Sequence, residues 1–162
     1  MTTQHPAPAP ADDDRVTMTL GERSTWSFLA LTTITSIVYY VIVVPRLFDQ
    51  PVADIAWQVP MLWAIGATVV GSIVVAIIVA IVSAIITRRQ PEDSDIREKQ
   101  IERHGNRIAQ AITAFGSVIV LALAMLELDW FWIGNALYLI GFTGGIVGAI
   151  VQLRAYHGVF RG

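Results

Sequence analysis

Four long apolar runs, separated by short polar breaks, dominate the pattern along the chain. The first covers residues 26–44 (WSFLALTTITSIVYYVIVV) and is closed by Pro45 and Arg46. The second covers 57–87, nearly unbroken from Val69 to Ile86, and stops at Arg88 and Arg89. The third covers 108–128 and the fourth 130–153. A helix rises about 1.5 Å per residue, so each run can cross a hydrocarbon layer roughly 30 Å thick. The second is longer than a straight crossing needs and is expected to tilt or project. Its β-branched residues (Val69, Val70, Ile73, Val74, Val75, Ile77, Ile78, Val79) would favour a strand in water. In lipid a lone strand leaves its backbone groups unpaired, so a helix must form instead. The pattern predicts an all-α polytopic membrane protein, with four transmembrane helices packed as two helical hairpins.

Composition agrees. Of 162 residues, 54% are hydrophobic and 15% charged, against about 25% charged in an ordinary soluble domain. Too few charges remain to coat a soluble surface, and the spans leave no room for a large catalytic domain. With no cysteine in the chain, disulfides, thiol catalysis and Cys-ligated zinc are excluded. A net charge of −2 gives no reason to expect direct nucleic-acid binding. Residues 1–24 open with MTTQHPAPAPADDDR, which lacks the apolar core of a secretory signal. Its Pro, Ala and Asp content cannot bury enough surface to fold, so a disordered cytoplasmic tail is expected. Residues 25–155 then form the transmembrane domain and 156–162 a short second tail.

The basic residues set the expected orientation. Arg15, Arg23, Arg88, Arg89, Arg97, Lys99, Arg103, Arg107, Arg154 and Arg161 would share one side, against Arg46 alone on the other. Lys and Arg accumulate in cytoplasmic loops, so both termini and the 88–107 segment are expected inside a cell membrane. Trp57, Trp130 and Trp132 would mark the outer interface, Trp26 and Tyr156 the inner one.

Small residues recur at every fourth position of the second run: Ala64, Thr68, Ser72, Ala76, Ala80 and Ala84. On a helix they form a stripe that lets another backbone approach closely. The fourth run has Gly141, Gly145 and Ala149 in one row and Gly144 and Gly148 in the next, and the third offers Ala109, Thr113 and Ser117. These stripes serve packing within a four-helix bundle, and one left over would serve a homo-oligomer.

Between the second and third runs, residues 92–107 read as a connector helix. Pro91, Glu92, Asp93 and Asp95 suit a helix start, Asp95 with Glu98 resembles a capping box, and Asp93–Arg97 and Asp95–Lys99 are favourable i,i+4 pairs. The connector is expected to continue into the third span, with Gly105 and Asn106 as a weak point. It is either a solvated lead-in or a docking face for a cytoplasmic partner, with Ile101 as anchor and Arg97 and Arg103 as orienting charges.

The stretch DSDIREKQIERHGNRI (Asp95 to Ile108 at its core), the FWIGNALY segment (Phe131 to Tyr138) and the closing QLRAYHGVF resemble an uncharacterised prokaryotic family of four-helix integral membrane proteins. The resemblance covers about 96–161; the first two spans agree with it only in hydropathy. Members of that family often sit beside small helix-turn-helix regulators. The resemblance therefore implies a membrane component of a regulatory pair, and it carries no catalytic residue.

Direct chemical signals are few. His5, His104 and His157 have no metal-ligand partner at helical spacing, and no phosphate loop, nucleophile elbow or HExxH is present. No catalytic, cofactor or metal site is expected. Ionisable residues inside the spans would flag transport, but Glu127 and Arg154 fall only at span ends. The neutral polar residues within spans include Thr32, Thr33, Thr35, Ser36, Gln110, Asn135 and Gln152. Gln110 and Gln152 lie near the inner interface. Asn135 suits a structural hydrogen bond, with a polar vestibule as the other reading. The sequence points to a non-enzymatic membrane protein, sensory or regulatory, docking a cytoplasmic regulatory protein through the connector. A small oligomeric transporter or channel is the alternative.

Overall fold

The structure is a computed structural model that describes residues 18–86 and 93–158. Arg15, Arg88, Arg89 and Arg161, with most of both tails, lie outside the described residues. Helix α1 spans Leu20–Val43, a short α2 spans Arg46–Asp49, and α3 spans Gln58–Ile86. Helix α4 spans Asp93–Met125 and α5 spans Trp130–Tyr156. Among the described residues there is no strand, and four helices are long and apolar enough to cross a membrane. The chain is a multi-pass, all-α membrane protein.

The helix ends follow from local chemistry. Helix α1 starts six residues before the first apolar run because Thr19 caps it. The Thr19 hydroxyl accepts from the Glu22 amide at 3.2 Å, and Glu22 places a carboxylate in the first turn. After Val43 the chain bends through Pro45 into α2, then through Pro51 into a 3-10 turn at Val52–Asp54. This stretch tucks Ile55 under one end of the bundle, where it is buried. Between α4 and α5 the turn is tight: Glu127 adopts a left-handed φ of 54°. The Asp129 side chain then accepts from the Phe131 amide at 2.8 Å and opens α5.

Helix α1 packs against both α3 and α5, while α4 packs against α5. The buried face of α1 is one row, Glu22, Thr25, Thr32, Ser36, Tyr39 and Val43, with the three-, four- and seven-residue spacing of a helix stripe. The main apolar cluster joins Tyr39, Val43, Ile55, Met61, Ala64 and Phe131 at the end where α3 begins. Helices α4 and α5 approach most closely through glycine. A side chain on Gly105 would press on the Gly148 carbonyl at 2.8 Å, and one on Gly144 would meet the Ala109 carbonyl at 3.1 Å. Outside, Ile34, Val41, Leu62, Trp63, Ile77, Phe115, Val118 and Trp130 are all exposed. In water so continuous an apolar surface is a liability, whereas in a bilayer it is the solvated face.

The small-residue rows divide unevenly. On α3, Ala64 is buried, and Thr68 and Ser72 are half-buried, but Ala76, Ala80 and Ala84 are exposed. On α5, Gly145 faces the Phe28 ring of α1, with 3.6 Å from the position of a Cβ, whereas Gly141 meets nothing within 4 Å. The neighbouring row, Gly144 and Gly148, makes the tight contact with α4.

Candidate functional site

The start of α1, the first turns of α4 and the end of α5 meet at one end of the bundle. Thr25 on α1 donates to the Gln152 Oε1 atom on α5 at 3.2 Å, and Gln152 donates through Nε2 to Asn106 on α4 at 3.4 Å. This chain of polar groups crosses all three helices. The His157 ring, held at 2.8 Å from the Leu153 carbonyl, brings Nε2 to 3.6 Å from Glu22. The Tyr156 hydroxyl lies beside Gly21 and Thr19 and in the field of Glu98, Glu102 and Glu22. A side chain on Gly21 would press on that hydroxyl, so Tyr156 would have to shift.

Together these residues wall a cavity of about 430 Å³, with Glu98, Glu102 and Asn106 from α4 facing Thr25 from α1 and Gln152 and Tyr156 from α5. Glu98 and Glu102 stand one turn apart on the same side of α4, an arrangement of like charges that disfavours an empty, dry pocket. The cavity is a vestibule that brings polar groups from three helices together with apolar walls such as Phe28 and Ala149. No group of three or more His, Asp or Glu among the described residues is placed to hold a metal ion.

The connector is physically continuous with the third span. Gly105 and Asn106 lie inside one unbroken helix, α4, because Gly105 is clamped against Gln152 and the Gly148 carbonyl rather than left free. Ile101 is only 4% exposed. It is turned into the bundle and is closed to an outside partner, a correction to its expected place as a surface anchor: the face that carries it is the face α4 packs with. Arg97 and Arg103 are exposed, as are Gln100 and Arg107. Ile96, 67% exposed, is the apolar side chain that the outward face offers.

The remaining polar residues in the spans are spread apart. Gln110 is exposed. Near the other end, Tyr39 donates to the Asn135 Oδ1 atom at 2.6 Å while Asn135 donates to the Phe131 carbonyl at 2.8 Å. Ser36 and Tyr138 pair at 2.9 Å, and Thr35 and Thr68 pair at 2.6 Å between α1 and α3. The Tyr39 ring meets Tyr40 and Tyr138 edge-on, with centroids 5.1 and 4.9 Å apart. Sequence reasoning missed the parts played by Glu22, Thr25, Tyr39, Tyr138 and Tyr156. The available signal was the polar row on α1 at helical spacing, hidden because tyrosines in a span read as apolar or interfacial.

The chain matches no protein-family model, no curated protein and no solved structure. The resemblance carried by Asp95 to Ile108 and Phe131 to Tyr138 rests on those residues alone.

Proposed function

We propose that the chain is a non-enzymatic protein of the cell membrane, a sensory or regulatory component that docks a cytoplasmic regulatory protein through its connector. In this reading the helices form two hairpins, α1 with α3 and α4 with α5, and both termini and the connector lie in the cytoplasm. The supporting charge distribution is simple: Arg23, Arg97, Lys99, Arg103, Arg107 and Arg154 belong to the vestibule end of their helices, and Arg46 to the other.

The observation that carries the docking reading is the continuity of the connector with the third span. Helix α4 runs unbroken from Asp93 to Met125, with Ile101 and Gly105 fixing its inner face to the bundle. A change in the tilt of the spans would therefore reach its outer face without being absorbed by a loop. On that face Ile96, Gln100, Arg103 and Arg107 follow one another at helical spacing, flanked by Arg97. Ile96 takes the anchor position that Ile101 cannot fill, and the arginines suit an acidic partner surface.

The test is co-purification of the full chain from native membranes, comparing wild type with the Ile96→Asp, Arg103→Glu variant at matched expression. A specific cytoplasmic protein lost from the variant supports the reading. Wild type bringing down nothing specific, or the variant keeping the same partner, refutes it. The second reading, an oligomeric transporter or channel with its pore between protomers, draws on the exposed row Ala76, Ala80 and Ala84. Crosslinking at Ala80 that yields no oligomer would remove it.

A further inference from the structure

Beyond the cluster of Met61, Ala64 and Phe131, α3 and α5 make little contact with each other, although both pack on α1. The gap over α1 is a slot of about 470 Å³ that extends from Trp57 and Gly134 to Phe28 and Gly145. Along α5 that is about 16 Å at 1.5 Å per residue, close to one leaflet of a hydrocarbon layer roughly 30 Å thick. Its rims, Ile65, Val69 and Leu137, are exposed to the surroundings of the bundle. The slot therefore opens sideways into lipid.

One polar group in this slot is left over. Ser36 and Tyr138 pair with each other, and Thr35 lies within hydrogen-bond distance of Thr68. Thr25, Thr35, Thr68 and Thr113 also bond back to the carbonyl four residues earlier, the usual refuge of a helical hydroxyl in an apolar setting. Thr32 does neither. It is 7% exposed, lines the slot, and its Oγ1 has no partner. As the side chain stands, Oγ1 is covered; threonine has two χ1 wells in a helix, so a turn of χ1 presents this hydroxyl to an occupant. At Gly141 the slot wall has nothing within 4 Å of the place a Cβ would take, which leaves width for a chain or a ring.

We propose that the slot binds a lipophilic molecule with a hydrogen-bonding oxygen set within its apolar body, its oxygen on Thr32 and its hydrocarbon between α3 and α5. A plain acyl chain would fill the volume and leave Thr32 unpaired; a water-soluble ligand would find apolar walls. The proposal is independent of the docking reading, because it concerns the spans and not the connector.

The probe pair is dihexyl ketone and tridecane, equal in length and different only in the oxygen. Thermal unfolding of the full chain in nanodiscs is followed as each is added. Dihexyl ketone is expected to raise the midpoint saturably by roughly 3 °C, and tridecane by clearly less. Thr32→Val, equal in shape, should erase the difference between the two. Gly141→Leu has room for its Cβ, narrows the slot and should erase the response to both. Equal responses of the wild type to ketone and alkane would overturn the proposal, as would a ketone advantage that survives Thr32→Val or a ketone response that survives Gly141→Leu. Loss of a crosslinked dimer on Gly141→Leu would assign the slot to a second copy and overturn it as well.

Discussion

Tyr39 and Asn135 provide the sharpest test of how the bundle is held together in a medium without water. Tyr39 is 1% exposed and donates to Asn135 at 2.6 Å. Replacing Asn135 with Leu leaves the Tyr39 hydroxyl buried without an acceptor, which costs about 1–3 kcal/mol. Tyr39→Phe keeps the edge-on contacts with Tyr40 and Tyr138 and leaves only the half-buried amide short of a donor, so about 1 kcal/mol is expected. With both replaced there is no orphan, and the double variant should be at least as stable as Asn135→Leu alone. The coupling is then at least about 1 kcal/mol, a value within the range measured for hydrogen bonds between membrane helices. The assay is reversible unfolding in mixed micelles followed by helical circular dichroism, run as a double-mutant cycle. Additive losses, with coupling below about 0.3 kcal/mol, would refute the claim that this pair is a structural clasp between α1 and α5.

Other substitutions probe the remaining contacts. Gly148→Leu places a side chain against Ala109 and the Gly105 carbonyl, 3.0 and 3.1 Å from the Cβ position, and should cost at least about 2 kcal/mol in the same unfolding assay. Gly141→Leu should stay within about 0.5 kcal/mol of wild type, because its surroundings are open. Ile101→Asp buries a carboxylate at the vestibule end and should lower stability by about 3 kcal/mol or more, while Ile96→Asp, on the exposed side, should change it little. If the two aspartates behave alike, the inward face of the connector has been misassigned.

The four apolar runs made the helices legible, because length and hydropathy alone decide what can cross a bilayer. The tight α4–α5 contact was legible only in part. The glycine rows on α5 were visible, but Gly144 with Gly148 packs on α4, while Gly141 faces open space. Which of two adjacent rows is used depends on the rotation of the helix, and in a helix apolar on every side no polar face fixes it. The same uncertainty affected Ile101. Charged neighbours suggested an exposed edge, yet at 3.6 residues per turn Ile101, Gly105 and Ile108 share the face that meets the bundle. The α3 stripe was regular from Ala64 to Ala84, but α1 covers only its first half. The vestibule joins Thr25, Asn106 and Gln152 across 127 positions of sequence at its widest, and no local pattern records such a meeting. Thr19 and Glu22, three residues apart before an apolar run, did hold a readable capping signal that moves the start of α1 forward.

Topology underlies both the orientation of the connector and its access to a cytoplasmic partner, and the absence of cysteine makes it directly measurable. Single cysteines at Gln50 and Gln100, both exposed, are treated on intact cells with a membrane-impermeant maleimide, then again after permeabilisation. The account predicts labelling at Gln50 in intact cells and at Gln100 only after permeabilisation. Labelling at Gln100 in intact cells, with Gln50 protected, would place the connector outside and contradict it.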